Sequence, residues 1–350
     1  MAEPPRDCPS APGSLDGSGT SAGTSAPAIP PARIRAAFLT ACRLDVETFK
    51  PGNVSIGSEG HGMSAAQFIA SAEAAADALL ARGMPVGQRV LDAVARTRAA
   101  VGCNTNLGIL LLIAPLAAAL EHTPPPLAVH AWHAATESVL ARLDLDDARL
   151  AYRAIALANP GGLGDAPEQS VHDAPTVGLR DAMTLAAARD SVARQYADGF
   201  HDIFETGLAA FREVSADDPR AATLNLFLTF AGGWPDSHIV RKHGAAVAQS
   251  VTLAARAHHA SWRRALAQAA FGAARAPLAA WDAELKAAAI NPGTSADLTV
   301  ATLFVALCLD AQNDADRAPG LANPAGDAAT HATHVTHATD APRTGTDSVS

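Results

Sequence analysis

The chain has 350 residues, and its 26 Lys and Arg against 35 Asp and Glu give a formal net charge of −9. An acidic balance argues against a general nucleic-acid binder, which normally carries a basic stripe. The four cysteines are scattered without a C-x-x-C pair, so they predict neither a zinc site nor a disulfide framework. They fit the reducing cytoplasm, where we expect this protein to work.

The two ends of the chain differ in composition from its middle. Residues 1–31 are rich in Pro, Gly, Ser and Ala, and residues 313–350 are again small and polar. Such segments bury too little apolar surface to offset the entropy of ordering them, so we expect two disordered tails. His331, His334 and His337 lie in the second tail, where low-complexity sequence favours no specific metal site. One domain, residues 32–312, remains between the tails.

The middle of the chain predicts an all-α fold. Alanine is frequent, aromatic residues make up 5% of the chain, and the alternating apolar pattern of strands is missing. We expect a single large domain of about a dozen helices. In chain order the predicted helices are Ala32–Val46, Ser64–Arg82, Val86–Ala100, Leu107–Glu121, Pro126–Arg142, Asp146–Ala158, Gly178–Gly207, Pro219–Phe230, Asp236–Ala257, Ala260–Ala274, Pro277–Ala289 and Ser295–Ala311.

Two of these helices allow sharper predictions. The longest apolar run, Leu107–Leu120, has 14 residues; a membrane span needs about 20, so we predict a buried core helix. Within Gly178–Gly207, Asp190 and Arg194 stand at i, i+4 and predict a solvated pair. Apolar residues at every fourth position of the same segment predict one buried face: Val192, Tyr196, Phe200 and Phe204.

The first polar cluster follows the first predicted helix. Lys50, Gly52 and Asn53 form a turn in which glycine lets backbone N–H groups approach an anion and lysine supplies charge for a phosphate. Glu59 and His61 add a candidate metal ligand and a titratable group. The alternative is that this is only a glycine-rich loop.

The second polar cluster directly precedes the most apolar helix. Asn104, Thr105 and Asn106 are residue types that cap helix starts. The same geometry can receive a phosphate or carboxylate, because the first N–H groups of a helix are free and its dipole favours negative charge. The cluster therefore indicates either a cap or a substrate-binding turn.

The third and fourth clusters lie in the second half of the chain. Asp236, His238 and Arg241 place a carboxylate, an imidazole and a guanidinium within one predicted helix start, which suits a metal–polyphosphate site. Thr294 and Asp297 follow an Asn-Pro-Gly turn and stand at capping-box spacing, so a purely structural role also explains them.

These clusters together resemble the triphosphoribosyl-dephospho-CoA synthase family, over about residues 34–310. The chain looks closer to a divergent branch found in organisms with methanopterin-type C1 cofactors, because residues 53–55 and 106–107 differ from the citrate-lyase branch. The motifs that carry the resemblance are Lys50-Pro51-Gly52, Gly60-His61, Asn104-Thr105-Asn106-Leu107-Gly108, Asp236-Ser237-His238-Ile239-Val240-Arg241 and Gly293-Thr294-Ser295-Ala296-Asp297-Leu298.

The resemblance implies an ATP-dependent enzyme that moves a triphosphoribosyl group to an acceptor hydroxyl, such as that of dephospho-CoA, and releases adenine. It implies ATP and a nucleotide-like acceptor as partners, Mg²⁺ as cofactor and possible homo-oligomers, with no nucleic acid or membrane partner. It implies catalytic roles for His61, Asp297 and Glu59, metal binding by Glu59 and Asp236, and substrate binding by Lys50, Gly52, Asn53, Asn104, Thr105, Asn106, His238, Arg241 and Ser295.

Two alternatives stay open from the sequence. One is a related phosphate-dependent transferase or hydrolase in methanopterin-type cofactor biosynthesis. The other is a non-catalytic helical adaptor in which every cluster is a cap or a turn. An adaptor would scatter the four turns over its surface, whereas either enzyme must bring them to one place.

Overall fold

The computed structural model describes residues 29–317, except 61, 161–169, 171–172, 215 and 269–270. These residues are mainly helical and contain no strand, which confirms the all-α prediction. The α-helices are α1 Pro31–Glu47, α2 Ala65–Leu79, α3 Val86–Val101, α4 Leu107–Leu120, α5 Val129–Leu140, α6 Leu145–Ala158, α7 Leu179–Ala186, α8 Ser191–Asp198, α9 Leu208–Arg212, α10 Pro219–Gly233, α11 Ser237–His243, α12 Ala245–Ala267, α13 Phe271–Ala287 and α14 Gly293–Arg317.

Two apolar helices, α4 and α14, lie at the centre of the larger hydrophobic core. Leu110, Leu112 and Ile113 of α4 are fully buried, which confirms the predicted core helix, since a helix that is apolar all round must be covered on every side. Within the described residues one segment, Gly293–Ala311 of α14, is long and apolar enough to cross a membrane. Because 78% of it is buried inside the fold, it is a core helix by its packing.

A second, smaller core joins α10, α12 and α13. Phe227, Trp262, Trp281 and Leu285 are among its buried residues. This core fixes α13 beside the loop that follows α1, so it bears directly on the placement of the first polar cluster.

The predicted helix Gly178–Gly207 is wrong as a single element. The first segment, α7, ends at Ala186, and Asp190 starts a new helix, α8, because its side chain accepts hydrogen bonds from the N–H groups of Val192 and Ala193. Gly199 and Phe200 then adopt φ values of +72° and +66°, which end α8 before a π-helical turn over Asp202–Gly207. The predicted apolar face is nevertheless buried at all four positions.

The predicted pair of Asp190 with Arg194 does not form. Asp190 instead pairs with Arg241 at 2.6 Å, and Arg194 pairs with Asp202 at 2.9 Å. The reason is local, because Asp190 is the N-cap of α8 and therefore lies outside the helical i, i+4 register.

Other differences concern helix ends. Gly244, with φ +86°, divides the predicted helix Asp236–Ala257, and α12 then continues to Ala267. Pro277 lies inside α13 instead of starting a helix. Ile29 is buried in the larger core although we assigned it to a tail. Pro30 and Pro31, which we also assigned to the first tail, are the N-cap and the first residue of α1, and residues 313–317 of the second tail continue α14. Residues 1–28, and the second tail from residue 318 with its three histidines, lie outside the described residues.

We predict that Asp190→Ala lowers the free energy of unfolding by about 1–2 kcal/mol, because α8 loses its N-cap. Chemical denaturation monitored by circular dichroism measures the loss. Asp181→Ala is the matched control, since Asp181 is exposed in the first turn of α7 and makes no capping hydrogen bond. Equal effects of the two substitutions would contradict the prediction.

Candidate active site

A buried carboxylate joins the third and fourth polar clusters. Oδ2 of Asp236 accepts hydrogen bonds from the backbone N–H of Ser295 at 2.7 Å and from its hydroxyl at 2.8 Å. Oδ1 caps α11, accepting from the N–H groups of His238 at 2.9 Å and Ile239 at 3.2 Å. The hydroxyl oxygen of Thr294 also accepts from the N–H of His238, at 3.2 Å. The starts of α11 and α14 therefore form one unit.

The first cluster packs against the same turn before α14. The side-chain amide of Asn53 donates to the side-chain oxygen of Asn291 at 2.9 Å. Gly52 has φ +76°, and a Cβ atom there would lie 2.9 Å from both Leu285 and Pro292. Only glycine fits this position, because it tolerates positive φ and fills no space beyond its backbone.

The second cluster reaches α14 through Gly108, in the first turn of α4. A Cβ atom at Gly108 would lie only 2.1 Å from Oδ2 of Asp297. The two helices can approach so closely because residue 108 has no side chain. All four clusters thus meet around the start of α14, as an enzyme requires and a scattered set of turns would not.

The polar residues before α4 are largely engaged with the protein. The side-chain oxygen of Asn104 accepts from the N–H of Leu107 at 3.1 Å, and the hydroxyl of Thr105 donates to that of Ser71 at 2.6 Å. Asn106 is buried, and its amide nitrogen finds no hydrogen-bond partner among the described residues. The amide nitrogen of Asn106 is therefore a donor that a ligand could use.

Three carboxyl groups near the start of α14 have raised pKa values. Burial raises the pKa of Asp297 well above its usual range, and the nearby carboxylates of Asp236 and Asp45 raise it further, while Arg241 opposes the shift. Burial also raises the pKa values of Asp236 and Asp45. The carboxylate of Asp297 accepts no hydrogen bond from the described residues. A partly buried carboxyl group with a perturbed pKa, and with no hydrogen-bond donor among the residues described, is a candidate catalytic group.

The two predicted phosphate-binding cations differ in their surroundings. Lys50 is fully buried, and its ammonium group pairs with the carboxylate of Asp45 at 3.1 Å. Burial lowers the pKa of Lys50, and Asp45 opposes that shift. Arg241 is partly exposed and pairs with Asp190. Arg241 can therefore reach a ligand more readily than Lys50 can.

Glu59 and Asp236, the residues predicted to hold Mg²⁺, differ in their surroundings. Asp236 accepts four hydrogen bonds, which use the roughly four acceptor sites of a carboxylate. Glu59 is exposed, and His61 lies outside the described residues. No group of three or more His, Cys, Asp or Glu side chains among the described residues is placed to hold a metal ion.

Sequence reasoning missed three charged residues in this region. Asp45 lies next to Val46 on the buried face of α1, and Asp282 and Lys286 form an i, i+4 pair on α13. The position of Asp45 on an otherwise apolar helix face was the one sequence signal that could have indicated a buried, functional carboxylate. The pair on α13 resembles many solvated pairs, so its pattern alone could not have revealed its contacts.

The molecule also contains a cavity of about 350 Å³ between α12 and α13, lined by His258, Ser261 and Leu278 among others. None of the predicted site residues lines it. The candidate active site is therefore defined by the meeting of the four clusters and their charges, and not by this cavity.

The fold and site define a helical protein whose polar turns meet around buried carboxylates. The sequence matches the profile of the ATP:dephospho-CoA triphosphoribosyl transferase family over residues 31–316. The chain belongs to this family and is therefore a transferase, which confirms the resemblance seen in its motifs.

One solved structure supports the same assignment. A crystal structure from Archaeoglobus fulgidus, provisionally assigned as a triphosphoribosyl-dephospho-CoA synthase, is 26% identical in sequence and superposes with a TM-score of 0.53. The match covers 69% of this chain and 98% of the archaeal chain. A comparison with curated proteins gives no match.

We predict that Gly108→Ala displaces Asp297 and lowers both stability and transferase activity, because the added methyl group overlaps the carboxylate. Thermal unfolding and turnover would both be measured. Gly233→Ala is the control, since it also lies in a helix and a Cβ atom there meets nothing within 4 Å. If Gly108→Ala behaves like Gly233→Ala, the close approach of α4 and α14 is wrong.

We predict that Asp297→Asn becomes more stable relative to the wild type as the pH rises above about 4. A carboxyl with a raised pKa in the folded state contributes stability below its unfolded pKa of about 3.9, and that contribution is lost as the pH rises through the folded pKa. The asparagine side chain does not titrate, so the variant does not lose this contribution as the pH rises. Urea unfolding of both proteins between pH 4 and 8 tests this; a constant difference would refute it.

Proposed function

We propose that the protein transfers the 5-triphosphoribosyl group of ATP to a hydroxyl of dephospho-CoA, or of a similar nucleotide-like acceptor, and releases adenine. Membership of the transferase family supports the reaction class. The observation that carries the proposal for this site is the position of Asp297, a carboxyl group that lies where four polar turns meet and accepts no hydrogen bond from the residues that the structure describes.

The chemistry explains why carboxylates are needed. The bond between ribose C1 and adenine breaks, and its electron pair leaves with the base, which takes up a proton. The acceptor oxygen forms a new bond to C1 and loses its proton, so atoms and charge balance. Because positive charge builds on the sugar in the transition state, nearby carboxylates stabilise it. Asp297, with Asp45 and Asp236 close by, supplies that negative environment.

Asp297 is our candidate for the base that takes the hydroxyl proton. Its raised pKa brings it closer to neutral pH, where a base is most effective at exchanging a proton during the reaction. We assign Lys50 to the pairing of Asp45, since its ammonium group is buried against that carboxylate. His61 and Glu59 remain proposed contributors from the loop after α1, with His61 the candidate that protonates adenine.

The triphosphate requires local positive charge because the chain as a whole is acidic. Arg241 is the proposed ligand, since its planar guanidinium can bind two phosphate oxygens after exchanging its present partner, Asp190. Asn104, Asn106, His238 and Ser295 are proposed to line the rest of the substrate site. Mg²⁺ enters the proposal as a counter-ion that accompanies the triphosphate, and the exposed carboxylate of Glu59 is the proposed protein ligand for it.

We predict that the purified protein releases adenine from ATP only when a suitable acceptor is present, and that Asp297→Asn lowers kcat by about 100-fold or more, as expected for loss of a general base. Chromatography of adenine and of the modified acceptor measures both. The control is Glu73→Gln, which alters an exposed carboxylate on α2.

Two outcomes would contradict this proposal. Failure of the wild type to release adenine with dephospho-CoA or related nucleotides would remove the reaction. Full activity of Asp297→Asn, with Glu73→Gln also active, would leave the reaction but remove the proposed base.

A further inference from the structure

One carboxylate on α13 contacts two separate parts of the loop that follows α1. Oδ1 of Asp282 accepts a hydrogen bond from the backbone N–H of Gly52 at 2.8 Å, and Oδ2 accepts from the hydroxyl of Ser58 at 2.7 Å. The ammonium group of Lys286 pairs with Asp282 at 3.1 Å and donates to the backbone oxygen of Ser58 at 2.9 Å. These contacts span more than 220 positions of sequence.

The two parts of the loop differ in what else holds them. The inner part, residues 50–55, is buried: Asn53, Val54 and Ser55 are 7%, 1% and 2% exposed. The outer part, residues 56–60, projects outward, with Ile56 61% exposed and Glu59 also exposed. Burial holds the inner part in place, whereas the outer part has little core of its own.

Lys286 also packs along the outer part. A Cβ atom at Gly60 would lie 3.3 Å from Cε of Lys286, and other carbons of the same side chain follow within 4 Å. The lysine stem therefore covers the backbone of Gly60 while its ammonium group holds Ser58. The outer part is thus held by the side chains of two residues on α13 and by three backbone hydrogen bonds. Ser55 and Ser58 exchange two of these, each at 3.0 Å, and the N–H of Ile56 donates the third to the backbone oxygen of Val46 at 2.8 Å.

We propose that Asp282 and Lys286 are positioning residues for the transferase reaction, which hold the outer part of the loop at the proper distance from the inner turn. This inference rests on the proposed function, in which Glu59 acts from the outer part, and on the substrate-binding role that the family resemblance implies for Gly52 and Asn53 in the inner part. Asp282 contributes to the spacing, because each of its oxygens binds one part, in addition to the backbone hydrogen bonds between Ser55 and Ser58. Lys286 neutralises Asp282 and fixes the outer part.

The proposal predicts a specific division of effects for Lys286→Met, which keeps the length and apolar stem of the side chain but removes its ammonium group. The outer part should loosen while the inner turn stays bound to Asn291 and Asp282. Misplaced catalytic groups lose rate steeply with distance, so we expect kcat to fall by about tenfold or more. We expect KM for ATP to change by less than about twofold, since the inner turn is retained.

Hydrogen exchange measured by mass spectrometry reports on the loop without turnover. In Lys286→Met, residues 56–60 should exchange faster than in the wild type, and residues 50–54 should not. Lys286→Arg should restore most of the protection and of kcat, because it keeps the charge and the donors. Glu284→Gln is the matched control on the same helix, since Glu284 is exposed.

The outcomes separate this inference from the proposed function. Unchanged exchange of residues 56–60 in Lys286→Met overturns the anchoring, whatever the activity. Faster exchange with unchanged kcat overturns the role in the reaction. Absence of adenine release by the wild type refutes the proposed function and, with it, the role in catalysis, while the exchange data still decide whether α13 anchors the loop.

Discussion

The structure depends on the buried carboxylate of Asp236, whose four hydrogen bonds join the starts of α11 and α14. The other polar turns are arranged around this junction, since Asn53 bonds to the turn before α14 and Gly108 contacts Asp297 one turn into it. Removal of one partner from a buried hydrogen bond leaves the other unsatisfied, at a free-energy cost of about 1–3 kcal/mol for each group. Loss of Asp236 would leave several donors unsatisfied at once.

The gathering of carboxylates at this junction is unfavourable for folding alone. Asp45 and Asp236 are removed from water and Asp297 is partly buried, and Asp297 is repelled by the other two. Proteins rarely bury several like charges together unless the site has a task that requires them. A reaction that passes through a positively charged sugar is such a task. The apolar packing of α4 and α14 provides the stability that allows this arrangement.

The structural features that were predicted correctly are those whose sequence signals lie within a few consecutive residues. Alanine content and the run Leu107–Leu120 were enough for the all-α fold and its core helix, and glycine and asparagine turns indicated the four clusters. The breaks at Phe200 and Gly244 were missed, because a non-glycine residue with positive φ and a single glycine give little pattern.

The contacts of the site were harder to predict, because they join distant parts of the chain. Lys50 carried the right charge for a phosphate, yet its ammonium group is buried against Asp45. Asp236 suited a metal by residue type, yet its oxygens are used by backbone and hydroxyl donors. Asp282 gave no signal at all, since its importance comes from Gly52, which lies 230 positions away. Residue types were therefore enough to locate the site, but the role of each side chain depends on the hydrogen bonds and ion pairs that it forms in the folded protein.

The contact between Gly108 and Asp297 has a consequence for how that carboxyl group changes charge. The packing of α4 against this carboxyl group sets its position, and no donor among the described residues does so. Hydrogen-bond donors would favour the ionised state and would have to rearrange when the carboxyl group took up a proton. A group held by shape can gain or lose a proton with little movement of its neighbours. Such an arrangement lets one side chain change its charge without breaking a hydrogen bond to the described residues, and the missing side chain of one glycine leaves the room for it.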